Sequence, residues 1–322
     1  MALDPLQTLA AAIAPQVGSM HFGPVTVILG DRSGKYPDGN QILLQGRDAR
    51  AVFDTPRVSR QFTAGLGAWF ETVDLAILGH VHEDHVVGLP RLKNAAIHVH
   101  QGDLAAARSW EGLARHYGYE PNVLAQLRQQ IERDFDWQPC AQAQGYEDGA
   151  RWDLGGITVH AVHLPGHTSG HCVLLIEPMG IAFLGDIDLT GFGPYYGDAT
   201  SSLSDFRDTL ARVRDLPAST WVTSHHRGVI HDRGTFESAL TAFAGKIEQR
   251  SERILTLLQN GPCAIDDLVR ARVLYPPHAT AIWLDGAERR TILQHLDELL
   301  MQGLVEQRDD GRFQRRTLLA AC

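Results

Sequence analysis

The stretch Val73-Asp74-Leu75-Ala76-Ile77-Leu78-Gly79-His80-Val81-His82-Glu83-Asp84-His85 joins a short apolar run to a cluster of imidazoles and carboxylates. The run has the length and composition of a buried strand, and Gly79 ends it just before the first histidine. In an extended segment alternate side chains share a face, so His80 and His82 can converge on one metal ion. Asp84 and His85 lie beyond the bend, free to face a second point nearby. A single His or Asp on a loop is by default a surface polar residue. Four of them, spaced this way at the carboxyl end of a predicted strand where α/β active sites collect, point to a metal site instead.

Three further places complete a pattern. His167 sits in Leu164-Pro165-Gly166-His167-Thr168-Ser169-Gly170-His171, a loop between two predicted strands; Asp186 follows the apolar strand Ile181–Leu184 through Gly185; His225 follows the predicted strand Thr220–Thr223, with His226 beside it. In this order the residues resemble the metallo-β-lactamase superfamily, whose pattern is HxHxDH, PGHTxGH, GD after a strand, and a last His after another. The resemblance covers about residues 20–235. It implies an α/β fold, the αββα sandwich of that superfamily. It also implies that His80, His82 and His167 hold one metal, that Asp84, His85 and the last histidine hold another, and that Asp186 bridges them. Ser224-His225-His226-Arg227-Gly228 offers two candidates for that last ligand; His225, the first residue after the strand, is preferred. By the same resemblance His171 orients a ligand, and Tyr195 or Tyr196, in an aromatic loop beyond Asp186, contacts substrate. Asp54 stands in Asp54-Thr55-Pro56 where the family usually reads Asp-Thr-Gly, and is expected to support the site rather than ligate.

Imidazole and carboxylate ligands without thiolates suit Zn²⁺ first, with Fe or Mn as alternatives, so two divalent metal ions are expected. Such a pair lowers the pKa of bound water and polarises a scissile carbonyl or phosphoryl group. The expectation is hydrolysis by a metal-bridging hydroxide, with Asp84 as the catalytic carboxylate that orients it or passes a proton to the leaving group.

The chain has 322 residues, 38 acidic against 29 basic, for a net charge of −9, with 44% hydrophobic and 21% charged residues. That is the composition of a globular protein with room for one sizeable core and a smaller second unit; collagen-like, disordered and disulfide-scaffold classes are excluded. The acidic balance argues against a surface that grips a nucleic-acid backbone. Cys140, Cys172, Cys263 and Cys322 are scattered without a CxxC pair, which suits a reducing, cytoplasmic setting. The start Met1–Gln16 has Asp4 and no Lys or Arg ahead of its apolar run, unlike a secretory signal, and no run is long enough to span a bilayer. Gly30–Lys35 is one residue short of a phosphate-binding loop and lacks its Ser or Thr, and there is no Gly-x-Ser-x-Gly elbow.

Segments 23–30 and 41–54 read as an opening hairpin about Tyr36-Pro37-Asp38-Gly39, followed by a helix near 57–71. Two helices are expected within 103–134, strands at 157–162, 172–177 and 181–184, a helix over 202–215 and a strand at 220–223. The tail differs: amphipathic helices at 246–259, 264–274 and 287–302, then a two-stranded hairpin around Asp309-Asp310-Gly311. This predicts a catalytic domain over residues 1–245 and a small α+β, winged-helix-like domain over 246–322. The tail holds 11 basic and 11 acidic residues, so the net −9 belongs to 1–245.

Three functions compete. The first is a hydrolase of a small ester, thioester or lactone, in likeness to the glyoxalase II and lactonase branches. The second is a phosphodiesterase or endoribonuclease, against which stands the lack of a basic channel. The third is a ligand-sensing DNA-binding regulator, disfavoured by the mixed charge of Glu288, Arg289, Arg290, Asp297 and Glu298 on the candidate recognition helix. The partners expected are therefore a small-molecule substrate and, through the tail, a second copy in a homodimer or the cleft mouth itself, with Tyr275 to His278 and Trp283 as apolar contacts. Neither membrane nor nucleic acid is expected.

Overall fold

The computed structural model describes residues 18–62 and 64–316; the opening stretch compared above with a secretory signal, and Cys322, lie outside them. Strands β1 (Ser19–Phe22), β2 (Val25–Ile28), β3 (Gln41–Gln45), β4 (Arg50–Phe53), β5 (Leu75–Ile77), β6 (Ala96–His100) and β7 (Gln144–Tyr146) form one sheet in sequential order. Strands β8 (Arg151–Asp153), β9 (Thr158–His163), β10 (Cys172–Glu177), β11 (Ile181–Phe183), β12 (Thr220–Val222) and β13 (Val229–Ile230) form a second, ordered β13-β12-β11-β10-β9-β8.

The central strands are apolar on both sides because alternate residues serve different layers. Ile42, Leu44 and Phe53 meet Leu174, Ile176 and Phe183 of the other sheet in a shared core. Leu43, Val52 and Ala76 turn outward to helices α1 (Ala64–Phe70), α2 (Leu104–Arg108), α3 (Trp110–Tyr117) and α4 (Pro121–Phe135). On the far side Val173 and Leu175 join a third cluster with Phe206 of α5 (Leu203–Val213) and Phe236 and Phe243 of α6 (Arg233–Leu257). The result is the expected helix–sheet–sheet–helix sandwich.

Several elements depart from the expectation. The segment 41–54 is two strands, turned at residues 46–49. Residues 31–40 are no simple hairpin turn, because the Asp38 carboxylate accepts from the N–H groups of Asp31, Gly39 and Val58 and gathers the segment into a compact loop. The helix near 57–71 is a 3₁₀ turn, Arg57–Gln61, followed by α1. In 103–134 there are three helices, since Ser109 turns extended (φ −156°) and caps α3, accepting the Gly112 N–H at 3.0 Å. Strands β1, β6, β7, β8 and β13 are unanticipated; of these β7 and β8 are three-residue, largely exposed edges of their sheets.

The stretch 246–257, read as the opening of the tail, is the second half of α6, which places Phe243 and Ile247 in the catalytic core and Ile254 in a cluster with Leu268, Ile292, Leu296 and Phe313. That cluster belongs to α7 (Ile265–Ala271), α8 (Leu284–Met301) and the hairpin of β14 (Val305–Gln307) and β15 (Phe313–Arg315). No helix among the described residues is long and apolar enough to cross a membrane.

His295 of α8 is fully buried where tail and catalytic region meet, 2.8 Å from both Ser251 Oγ and Tyr196 Oη. Burial pushes its pKa down to about 3. The folded ring is therefore neutral where an unfolded histidine takes a proton, near pH 6.5. The unfolded chain binds more protons in that window, so this contribution is intact above pH 6.5 and lost as pH falls toward 3, at up to about 1.4 kcal/mol per pH unit. Urea unfolding across that range is expected to show a shallower loss for His295→Gln than for the parent; equal slopes would exclude His295 as the source.

Candidate functional site

Four connections meet at one end of the two sheets. β5 runs through Gly79 into His80–His85; the β9–β10 loop carries His167 and His171; Asp186 lies beyond β11 and His225 beyond β12. Backbone bonds fasten these ends: Cys172 N–H donates to Gly79 O at 2.7 Å and Ser224 N–H to Gly185 O at 3.0 Å.

The side chains form two adjoining sets. His167 Nε2 lies 3.1 Å from His82 Nδ1 and 3.3 Å from Asp186 Oδ2, and His80 Nε2 is 3.8 Å from that same oxygen. On the other side His85 Nε2 lies 3.1 Å from Asp186 Oδ1, and His225 Nε2 lies 3.2 Å from Asp84 Oδ2 and 3.5 Å from Asp186 Oδ1. Ligands on one tetrahedral Zn²⁺ at ~2.0–2.1 Å stand about 3.3 Å apart, so these separations suit a divalent cation in each set. Both ring nitrogens of His80, Nε2 of His85 and Oδ1 of Asp186 are buried without a hydrogen-bond partner. Bare polar atoms in such a place are costly, and a cation satisfies them. His80, His82, His167 and Asp186 could hold one metal ion, and Asp84, His85 and His225 another. Burial alone would raise the Asp186 pKa, but the imidazoles of His85, His225 and His80 hold it well below the usual carboxylate range.

Outer partners fix each ring. His85 Nδ1 donates to Asp54 Oδ2 at 2.8 Å, His167 Nδ1 to Tyr195 O at 3.0 Å, and His225 Nδ1 to Gly34 O at 2.8 Å and Asp38 O at 2.9 Å. The compact 31–40 loop thus orients His225. His226, the alternative, is exposed at a left-handed φ of 62°. His171 donates from Nδ1 to Leu164 O and accepts the Asp186 N–H at Nε2, 3.2 Å away, tying two ligand-bearing loops together; burial pushes its pKa down to about 3, which keeps Nε2 an acceptor.

The structure also assembles residues that no motif announced. Asp198 Oδ2 accepts from His82 Nε2 at 3.0 Å, leaving Nδ1 for the metal set, while its Oδ1 accepts from Tyr119 Oη at 2.6 Å and Tyr195 Oη at 3.1 Å. Burial works against a charged His82, but Asp198 outweighs it and pushes the pKa up to about 9. Asp103 accepts from Val81 N–H, Thr168 Oγ1 and Gly170 N–H, clamping the first histidine segment to the His167 loop. Asp198→Asn is expected to weaken metal affinity about 10–100-fold, as loss of an outer partner does. Chelator competition measures this, and parental affinity would rule the role out.

The two tyrosines part company. Tyr195 lines the cavity above the cluster, but Tyr196 is fully buried, packed on Phe206 with its hydroxyl on His295, and so cannot contact substrate there. The cavity is about 300 Å³. His82, Asp84, His167, Asp186 and His225 form its floor, and none of its lining residues is Lys or Arg.

Comparison with known proteins agrees with this geometry. The family model described as the metallo-beta-lactamase superfamily matches residues 38–225. An atrochrysone carboxyl ACP thioesterase of Pseudocercospora fijiensis is 26% identical over 312 residues, 90% of this chain and 76% of that protein. A hydroxyacylglutathione hydrolase of Aeromonas salmonicida is 26% identical over 189 residues, 59% of this chain and 61% of that one. Among solved structures, a metallo-beta-lactamase family protein from Thermus thermophilus superposes with a TM-score of 0.64 at 24% identity, covering 95% of this chain and 100% of its own.

Proposed function

The chain belongs to the metallo-beta-lactamase superfamily of hydrolases, and on that premise we propose that it is a dinuclear metal-dependent hydrolase of a small acyl substrate, with a thioester as the first choice over an ester or lactone. The observation that supports this most is the pair of His/Asp sets sharing Asp186, with inward atoms 3.1–3.8 Å apart beneath the cavity. Thioester is favoured because a relative matched over 90% of this chain is named a thioesterase. Overall, water adds to the acyl carbon, the carbon–sulfur bond breaks, and the thiol leaves with a proton.

Two divalent cations held by the two sets, Zn²⁺ before Fe or Mn, would acidify water between them and polarise the acyl carbonyl. The chain's own residues do the rest. Asp54 and Asp198 hold His85 and His82 with the correct nitrogen turned inward. Asp84, on the cavity floor, is placed to move a proton toward the leaving sulfur. The rings around the floor keep bulk water from the reacting carbon. The tail acts here as a pocket wall rather than a nucleic-acid surface, for Tyr275 and Trp283 line the cavity. The three described cysteines are free, in keeping with a cytoplasmic setting. A phosphodiester or RNA substrate is disfavoured by a lining without Lys or Arg. Metal-loaded protein should be offered thioester, aryl ester, lactone, phosphodiester and RNA, with Asp84→Ala as control. Thioester turnover that the control lacks is the expected result, and hydrolysis confined to the phosphodiesters overturns the proposal.

A further inference from the structure

The walls of the cavity are built mostly of rings whose polar atoms are already engaged. Tyr36 Oη donates to Glu83 Oε1 at 2.9 Å, and Tyr117 Oη donates to Glu83 Oε2 at 2.5 Å. Tyr119 and Tyr195 spend their hydroxyls on Asp198. With four hydroxyls turned onto two carboxylates, what these residues offer a ligand is ring surface. The rings of His82, Tyr117 and Tyr119 are stacked on one another, with centroids 5.9 and 6.0 Å apart and planes tilted by only 6° and 9°, and Arg290 lies over the Tyr119 ring at 5.7 Å, so this stack is a rigid backing to the cavity.

The remaining rings come from later in the chain and are braced there. Phe192 has Arg250 over its ring at 5.5 Å, and the same guanidinium donates to Phe192 O at 2.8 Å. Tyr275 lies 5.4 Å from Phe192 and is held at its backbone: the fully buried carboxylate of Glu288 accepts the N–H groups of Val273, Leu274 and Tyr275, the last at 2.7 Å. Trp283 follows on the same strap, just ahead of α8. A carboxylate bonded to three consecutive amides leaves that strap little freedom, so its rings form a fixed wall.

Resting on the thioester reading above, we propose that this pocket takes a planar, uncharged aromatic acyl group of about two fused rings, held among the lining rings of Tyr36, Phe192 and Tyr195 and, from the tail, Tyr275 and Trp283. A cavity of about 300 Å³ admits such a group. Stacking on ring faces favours a flat π-system over a flexible chain, which loses rotamer freedom on entry. A carboxylate-bearing acyl group finds no Lys or Arg in the lining, and Glu83 and Asp198 would oppose it. The tail is on this view the element that sets acyl specificity.

The test compares kcat/KM of the metal-loaded full chain on N-acetylcysteamine thioesters of 2-naphthoate, octanoate, acetate and 4-(trimethylammonio)butanoate. The naphthoyl thioester is expected to lead by about tenfold or more, the scale of one to two good aromatic contacts. The last probe asks whether the rings instead cage a cation. Octanoyl or the cationic acyl group equalling or exceeding naphthoyl overturns the proposal. Within Trp283→Ala and Tyr275→Ala, the naphthoyl-to-octanoyl ratio is expected to fall about tenfold, and Trp283→Phe to keep it. An unchanged ratio in both alanine variants also overturns it. If no thioester is turned over, it is the hydrolase reading that fails. Calorimetric binding of free 2-naphthoate against octanoate to the parent then decides the pocket on its own, a preference for octanoate refuting it.

Discussion

Asp186→Ala is expected to leave fewer than two metal ions per chain and to lower turnover by about a thousandfold or more, because it removes the carboxylate that serves both halves of the centre. Its Oδ2 faces His80 and His167, and its Oδ1 faces His85 and His225. Without it, four imidazoles converge with no charge between them, and two cations in adjoining sets repel each other unscreened. Asp84→Ala touches the second set alone and is expected to keep the first metal. Metal analysis after dialysis, paired with kcat/KM on the best thioester, separates the two cases. Two retained equivalents with parental turnover in Asp186→Ala would remove the dinuclear reading.

Gly166→Ala is expected to destabilise the protein strongly and to disturb the His167 loop. Gly166 precedes the ligand His167 and has φ +128°, outside the range open to an L side chain, and a Cβ there would lie 2.4 Å from Phe206 Cα and 2.5 Å from Phe206 N. Those are backbone atoms of α5, so the clash cannot be relieved by a rotamer. Strain of ~1–3 kcal/mol adds to overpacking of ~1–3 kcal/mol, and a Tm lower by roughly 5–10 °C follows. His167 should be displaced as well, so metal content falls with stability. Gly149→Ala provides the comparison, with φ +79° but nothing within 4 Å of the added atom. Thermal melts of the two variants with equal shifts would show that the contact with Phe206 is not what matters.

How much of this could be read from the chain differs residue by residue, for physical reasons. His80, His82, Asp84 and His85 are legible because ligands sharing one bend must be close in sequence, and the apolar run ahead of them marks the strand. The glycines of Pro165-Gly166-His167 and Gly185-Asp186 are legible as motif letters. Their cause, a backbone of positive φ pressed against Phe206 or His171, is visible only in three dimensions. Asp198 could not be found that way: it meets His82 across 116 positions of chain, from a connection with no periodicity around it. Tyr195 and Tyr196 are neighbours with the same side chain, and only the path of the loop decides which one lines the cavity and which is sealed against His295. Strands β7 and β8, three residues long and each paired on one side only, carry too little alternation to register.

The 25 residues of α6 run without interruption from Arg233 to Leu257. At 1.5 Å per residue that is a rod of about 37 Å, with Phe236 to Ile247 planted in one apolar cluster and Ile254 in the other. Two bodies joined by a flexible tether melt separately and are parted by a protease at the tether. Here the only continuous join is a hydrogen-bonded helix with both ends sunk in cores, so loosening either core frays the rod that the other depends on. The chain should therefore lose its structure in one cooperative step and resist nicking near residue 246. The wall that the tail lends to the pocket is then as durable as the sandwich itself.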